Sequence, residues 1–122
     1  MIKDILLVGI GSFFGGIGRY LISLFMGHAD NDFPWGTFAV NIAGCLLIGI
    51  LWGMTSRVQS ISPSLSLLLI VGFCGGFTTF STFSKEGLTL LQANNYILFS
   101  LYTIGSVVLG ILAVALGYIA TK

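Results

Sequence analysis

A run of polar and aromatic side chains interrupts an otherwise lipid-soluble stretch of this sequence at residues 72–86. The run reads Gly-Phe-Cys-Gly-Gly-Phe-Thr-Thr-Phe-Ser-Thr-Phe-Ser-Lys-Glu and contains two adjacent glycines, five hydroxyl side chains and four phenylalanines. A bilayer interior offers no water to backbone groups, so such a break is costly unless it is buried in protein or lines a wet cavity. Polar groups at membrane depth therefore indicate a path for an ion or a small substrate.

Two aromatic side chains in this run are placed to act on an anion. Phe80 and Phe83 are three residues apart, so they share one helical face. Ser81 and Thr82 lie between them, which makes their surroundings polar. Because a phenyl ring has a positive edge, ring edges can stabilise a small dehydrated anion without the trapping effect of a full charge. Packing is the alternative role for these rings.

Further donors for an anion come from the neighbouring apolar runs. Asn41 is the only amide within the core of a spanning run, and its side chain offers two N–H donors. Tyr102 and Ser106 are one helical turn apart and would form a stripe of hydroxyls, which Gly110 ends one turn later. For all three polar residues the alternative role is hydrogen bonding between helices.

Residues 75–78 are the candidate break in the helix. An unwound turn exposes carbonyl oxygens, and these suit a hard cation such as Na⁺. A helix that is packed and merely kinked is the alternative.

Arg19 is an intramembrane cation that either extends to the nearer interface or attracts anions at an entrance.

Composition and hydropathy predict an all-α membrane protein. The chain is 56% hydrophobic and only 7% charged, against about 25% charged in soluble domains. Four runs are long enough to cross a hydrocarbon core, which takes about 20 residues; they are 5–26, 35–55, 65–84 and 96–121. They leave only short loops, at 27–34, 56–64 and about 87–95, so residues 1–122 are predicted to form a single four-helix transmembrane domain.

The distribution of charge bears on orientation and partners. With four spans, Lys3, Arg57 and Lys122 lie on one side, while Arg19 and Lys85 lie toward the other. This near-balance suits insertion in both orientations and equally suits a weakly biased single topology. Four thin helices enclose little interior, so one copy is not expected to enclose a selective pore, and we expect an oligomer, most simply a dimer.

The sequence contains no basic run of the kind that binds nucleic acid, so a nucleic-acid partner is not predicted.

The remaining reactive side chains do not form an enzyme site. The sequence shows no Ser-His-Asp set, no paired carboxylates at membrane depth and no metal-ligand cluster, so we predict that the protein is not an enzyme. Cys45 and Cys74 fall in mid-membrane runs and are expected to be buried free thiols. His28, Asp30 and Asp32 are expected to be solvated residues of the first loop.

Two other functions fit a four-span chain. A proton-coupled exporter of the small multidrug resistance type has this size and topology, but it needs a carboxylate embedded in the membrane. The spans are predicted to hold none, because Asp4 is at the chain end and Glu86 is expected to close the third helix. A purely structural tetraspan subunit leaves the polar, glycine-rich third run unexplained.

Three segments of the sequence resemble the CrcB/Fluc fluoride channels. Residues 75–84 read Gly-Gly-Phe-Thr-Thr-Phe-Ser-Thr-Phe-Ser, and residues 35–44 read Trp-Gly-Thr-Phe-Ala-Val-Asn-Ile-Ala-Gly. Residues 15–20, Gly-Gly-Ile-Gly-Arg-Tyr, match the arginine-bearing first helix of that family. The similarity covers all four spans, and the motif in the third span is the most specific of the three.

The resemblance implies an antiparallel, dual-topology homodimer with two fluoride pathways and a broken third helix. The carbonyls of Gly75 and Thr78 would hold a structural Na⁺ at the dimer axis. Arg19 would be the vestibule arginine, and Gly110 departs from the family by lacking the third polar side chain of the last helix. The implied fluoride pathway comprises Asn41, Phe80, Ser81, Thr82, Phe83, Tyr102 and Ser106.

The implied function is passive export of fluoride across the bacterial inner membrane. Fluoride enters acidified cells as neutral HF and is trapped inside as the ion. Because fluoride holds its water tightly, the pore must replace that water with amide and hydroxyl donors and ring edges. Larger halides would make poorer contacts with the same groups.

Overall fold

Four helices that are long and apolar enough to cross a membrane make up the fold. The computed structural model describes residues 1–27, 32–57 and 61–122, and His28 and Asp30 lie outside these ranges. Every regular element in the described ranges is helical, as the composition predicts. The elements are α1 (Ile2–Met26), α2 (Trp35–Ser56), α3 (Pro63–Ser66), a π-helical segment (Leu67–Cys74), α4 (Gly75–Phe77), α5 (Ser81–Gln92) and α6 (Tyr96–Thr121).

The third span consists of several short elements because its hydrogen bonding changes along its length. It begins where Ser62 accepts a hydrogen bond from Leu65 N at 3.1 Å, with Pro63 at the first helical position. The π segment then follows, α4 adds one turn, and residues 78–80 are not helical. Thr78 is extended, with φ −85° and ψ 159°. The glycines of the predicted break, Gly75 and Gly76, are helical, so of residues 75–78 only Thr78 belongs to the interruption, which continues to residue 80.

The loop predicted at about 87–95 is shorter in the structure, because the third span extends to Gln92. Helix α5 continues to Gln92 because its inner face buries Gly87 and Leu90 against the bundle. The chain turns out of the helix after Gln92 because Asn94 has a positive φ of 59°. With this backbone angle, Asn94 N donates to Leu91 O and Asn95 N donates to Leu90 O. These two bonds satisfy the final carbonyls of the helix in a Schellman arrangement, and only 93–95 remain as a connection.

Helix α1 packs against the first half of the third span through buried glycines. Gly11 and Gly15 are four residues apart on one face of α1. A methyl group at Gly11 would collide with the Leu68 carbonyl, and one at Gly15 would collide with the Phe73 carbonyl. The Ser12 hydroxyl donates to Gly72 O at 3.3 Å in the same interface. Small residues therefore bring the two backbones into contact, as the Gly-x-x-x-Gly spacing predicts.

Helices α2 and α6 form the second close pair. A methyl group at Gly49 would collide with the Val114 carbonyl, and one at Gly117 would lie 2.6 Å from Leu46 O. The Thr121 hydroxyl donates to Ile50 O at 2.9 Å near the end of the pair. Helix α5 packs on α6 as well, so α6 brings residues of α2 and α5 together beside the interruption at 78–80.

Candidate functional site

Asn41 holds the non-helical backbone at Thr79 with a pair of hydrogen bonds. Its Oδ1 accepts from Thr79 N at 2.8 Å, and its Nδ2 donates to Thr79 O at 3.0 Å. Both backbone groups of one residue, which the helix interruption would leave without partners, are thereby satisfied from α2. An amide nitrogen carries two hydrogens, so one Nδ2–H remains available after this contact.

The helix interruption changes the partners of two carbonyl groups. In a continuous helix, Gly75 O would accept from Thr79 N, but that amide donates to Asn41. Thr78 O would accept from Thr82 N, but that amide donates to Thr79 Oγ1 at 3.2 Å. The carbonyl oxygens of Gly75 and Thr78 are therefore relieved of their usual helical donors.

Arg19 is tied to the same turn from α1. Its Nε donates to Gly76 O at 3.2 Å, and the side chain is half-buried. Gly76 O would otherwise accept from Phe80 N, which the interruption moves away from helical geometry. A guanidinium has five N–H donors, so this bond leaves the others free to act elsewhere. The structure thus gives Arg19 a role in satisfying the backbone that the sequence did not predict.

A cavity of about 290 Å³, here called the Asn41 cavity, opens beside the interruption. It contains an amide, hydroxyls, two phenyl rings and a thiol, and its described lining has no charged side chain. Four residues of the predicted pathway come together here. The lining consists of Asn41, Cys45, Ile48, Thr78, Thr79, Phe80, Phe83, Ser106 and Val107.

A row of aromatic rings leads from this cavity into the bundle. The rings of Phe80 and Phe83 have centroids 5.8 Å apart, and those of Phe83 and Tyr102 are 4.9 Å apart. Tyr102 is fully buried, whereas Phe80 is 77% exposed in the single chain. Phe83 therefore lies between an outward-facing ring and a buried one.

A second cavity of about 230 Å³, here called the Glu86 cavity, lies at the other end of the row. The Tyr102 hydroxyl donates to Glu86 Oε1 at 3.0 Å. Thr82, Lys85 and the buried Thr37 also line this cavity. Tyr102 consequently contacts a ring of the Asn41 cavity on one side and a carboxylate of the Glu86 cavity on the other.

The residues predicted for the pathway thus fall into four groups. Asn41, Phe80, Phe83 and Ser106 line the Asn41 cavity, Thr82 lines the Glu86 cavity, and Tyr102 lies between the two. Ser81 lines neither cavity and is exposed in the single chain, with its Oγ 3.4 Å from Thr79 Oγ1.

Sequence reasoning missed three residues of the two cavities. Thr37 and Cys45 are each one turn from Asn41 on α2, and Glu86 is one turn after Thr82 on α5. That spacing of four residues places each on the face of a residue that was predicted. The expectation that Glu86 closes the third helix is wrong, because α5 continues for six more residues to Gln92 and keeps Glu86 half-buried inside the span.

Within the residues that the structure describes, four helices long and apolar enough to cross a membrane, with a cavity at either end of the aromatic row, define a multi-pass α-helical membrane protein. Residues 6–118 match the family described as "CrcB-like protein, Camphor Resistance (CrcB)". The chain belongs to this CrcB family.

Several relatives are similar to this protein over nearly the whole chain. A protein of Phocaeicola vulgatus is 52% identical over 116 residues, which cover 94% of this chain and 95% of that protein. A protein of Chlorobium luteolum is 48% identical, covering 98% and 92%, and one of Flavobacterium psychrophilum is 43% identical, covering 98% of both. Each of these three relatives is named "Fluoride-specific ion channel FluC".

Proposed function

We propose that this protein is a fluoride-selective channel that lets F⁻ leave the cell passively through the inner membrane. The observation that carries the proposal is the chemistry of the Asn41 cavity: neutral donors and two phenyl rings, with no fixed charge in its described lining. Conduction needs sites that replace the water of the ion yet release it again. Family membership and the names of the relatives support the same function.

The proposed path runs between the two cavities by way of the aromatic row. Asn41 and Ser106 supply donors at one end, Phe83 and Tyr102 lie between, and Thr82 supplies a hydroxyl at the other end. Fluoride would pass among these groups after losing its water.

We further propose that the functional unit is an antiparallel homodimer. Phe80 is 77% exposed in the single chain although it lines the Asn41 cavity, so a second copy would complete that wall. Gly75 is exposed and meets no neighbouring atom within 4 Å of the position of a Cβ. Ser81, exposed on the same stretch, would join the path only in such an assembly.

The two freed carbonyls fit a structural Na⁺. Hard cations take oxygen ligands, and unwound backbone is where membrane proteins supply them. Gly75 O and Thr78 O have lost the amides that would occupy them in a continuous helix. We propose that these oxygens from each of two chains hold Na⁺, which would neutralise carbonyl dipoles where the two protomers meet.

Arg19, with its remaining N–H donors, is proposed to attract anions at the vestibule.

Selective flux is the direct test of the proposed function. Protein reconstituted in liposomes, with valinomycin to balance charge, should release fluoride at least about a hundredfold faster than chloride, which corresponds to about 3 kcal/mol between the two barriers. A fluoride electrode and a chloride electrode measure the two rates. Comparable rates for both ions would remove the claim of selectivity, and a retained fluoride gradient with folded protein would remove the function.

The neighbouring glycines Gly75 and Gly76 provide a matched test of the dimer. Gly76→Ala should destabilise the single chain by about 1–3 kcal/mol, the range for overpacking, because its Cβ would lie 2.8 Å from Ser12 O. Gly75→Ala should leave the chain folded but weaken the dimer and the fluoride flux. Light scattering in detergent measures the mass of the assembly, and thermal unfolding measures stability. A Gly75→Ala protein with unchanged mass and flux would contradict the proposed position of the interface.

Proton-coupled export is the second candidate, and one observation favours it. Glu86 is a carboxylate within the third span that accepts a hydrogen bond from the buried Tyr102. A coupled exporter would move protons together with its substrate, whereas a channel would not. Fluoride movement driven by voltage alone should therefore leave the pH inside the vesicles unchanged. A stoichiometric change in internal pH would favour the exporter.

A further inference from the structure

Gly110 leaves a gap in the polar face of α6. Tyr102, Ser106 and Gly110 follow one another at intervals of one turn, and the first two carry hydroxyls. Gly110 is buried, and a Cβ built there would lie 3.4 Å from the Sγ of Cys45. The side chain of Cys45 on α2 therefore reaches the place where α6 presents no side chain of its own.

The two cysteines of the chain have different surroundings. Cys45 follows Asn41 by one turn on α2, is partly exposed and lines the Asn41 cavity. Cys74 is 0% exposed and lies outside the lining of both cavities. Both thiols are free, as expected, but the expectation that both are buried is correct for Cys74 alone.

Ser106 provides an independent indication that this part of the cavity binds an ion or a water molecule. Ser106 lines the Asn41 cavity, and its Oγ is buried without a hydrogen-bond partner within residues 1–27, 32–57 and 61–122. A buried hydroxyl without a partner is costly in an apolar environment. An ion or a water molecule in the cavity would supply the missing partner, and Cys45 lies beside the same space.

We infer that the Cys45 thiol lines the anion path at the level of Gly110, so that α2 supplies there the polar group that α6 lacks. The inference rests on the proposed fluoride channel. A thiol is a weak, uncharged donor of small volume, and weak neutral donors suit a site that an anion must leave again.

A small thiol reagent tests the position of Cys45. With methyl methanethiosulfonate, the Cys45 sulfur forms a disulfide with the CH₃S group, the S–S bond of the reagent breaks, methanesulfinate leaves, and the thiol proton passes to the buffer. Peptide mass spectrometry of wild-type protein in liposomes should find the CH₃S group on Cys45 and not on Cys74. Labelled protein should lose fluoride flux; Cys74→Ala should remain sensitive, and Cys45→Ala should become insensitive.

Moving the polar group from one helix to the other separates a lining role from a packing role. Cys45→Ala should lower fluoride flux by about threefold to tenfold, the effect of losing one neutral hydrogen bond. Adding Gly110→Ser to Cys45→Ala should restore the flux, because the removed Sγ makes room for the new side chain beside Ser106.

The outcomes of these experiments distinguish the inference about Cys45 from the proposed fluoride channel. If wild-type protein conducts fluoride but Cys45 is not labelled, or its labelling and replacement leave the flux unchanged, the inference is wrong and the channel stands. If untreated wild-type vesicles retain fluoride, both the channel and the inference are overturned.

Discussion

Replacing Asn41 with aspartate is expected to abolish fluoride conduction. The wild-type amide accepts from Thr79 N at 2.8 Å and donates to Thr79 O at 3.0 Å. Aspartate keeps the acceptor, loses the donor and adds a negative charge to the Asn41 cavity. Two unit charges about 4 Å apart interact by about 4 kcal/mol at an effective dielectric constant near 20, which corresponds to about a thousandfold lower rate. Fluoride efflux from liposomes measures the loss.

Asn41→Ala is the matched control for the charge. Alanine removes both hydrogen bonds to Thr79 without placing an anion in the path, so it reports the cost of the lost backbone contacts alone. We expect this variant to be less stable, but to conduct more fluoride than Asn41→Asp. Gel filtration identifies the folded fraction of each variant. Wild-type flux from Asn41→Asp would show that Asn41 is not in the path.

Exchanging Phe83 for isoleucine is expected to produce the second-largest loss. The ring lies between Phe80 and Tyr102, with centroid distances of 5.8 and 4.9 Å. Isoleucine fills most of the space but has no positive ring edge to offer an anion. An aromatic ring contributes about 2 kcal/mol to a desolvated cation that lies over its negative face. If the positive edge of the Phe83 ring contributes as much to an anion, its loss lowers the flux by about thirtyfold. Phe80→Ile should act in the same direction.

Phe14→Ile serves as the control for this exchange. Phe14 is 58% exposed on α1 and contacts Phe13 edge to face, away from both described cavities. The same loss of a ring there should leave fluoride flux unchanged. If Phe83→Ile and Phe14→Ile conducted equally well, the rings of the third span would have a packing role only.

The contacts of Asn41 give it a role in structure and leave room for the proposed role in conduction. The amide bonds the interrupted backbone, and it also lines the cavity. The proposed donor for an anion and the freed carbonyl of Gly75 consequently depend on one side chain. A single substitution at Asn41 is therefore expected to affect the fold and the path together.

The sequence by itself determined the class of protein and singled out four residues that line the Asn41 cavity. Hydropathy identified four spans, because the length of an apolar run is a property of the local chain. The spacing of Gly11 and Gly15 indicates a close approach of α1 to another helix, since small residues one turn apart share a face, but the structure decides that this helix is the third span. The motif at residues 75–84 identified the family before any contact was known.

Only the tertiary structure decided which partners these residues have. Asn41 and Thr79 are 38 residues apart in the chain, and no periodicity reports that their polar groups meet. Burial of Glu86 beside Tyr102, and the approach of Cys45 to Gly110, likewise depend on how α2, α5 and α6 pack together. Hydropathy and spacing describe one helix at a time, whereas a hydrogen bond between helices is set by their relative position and rotation.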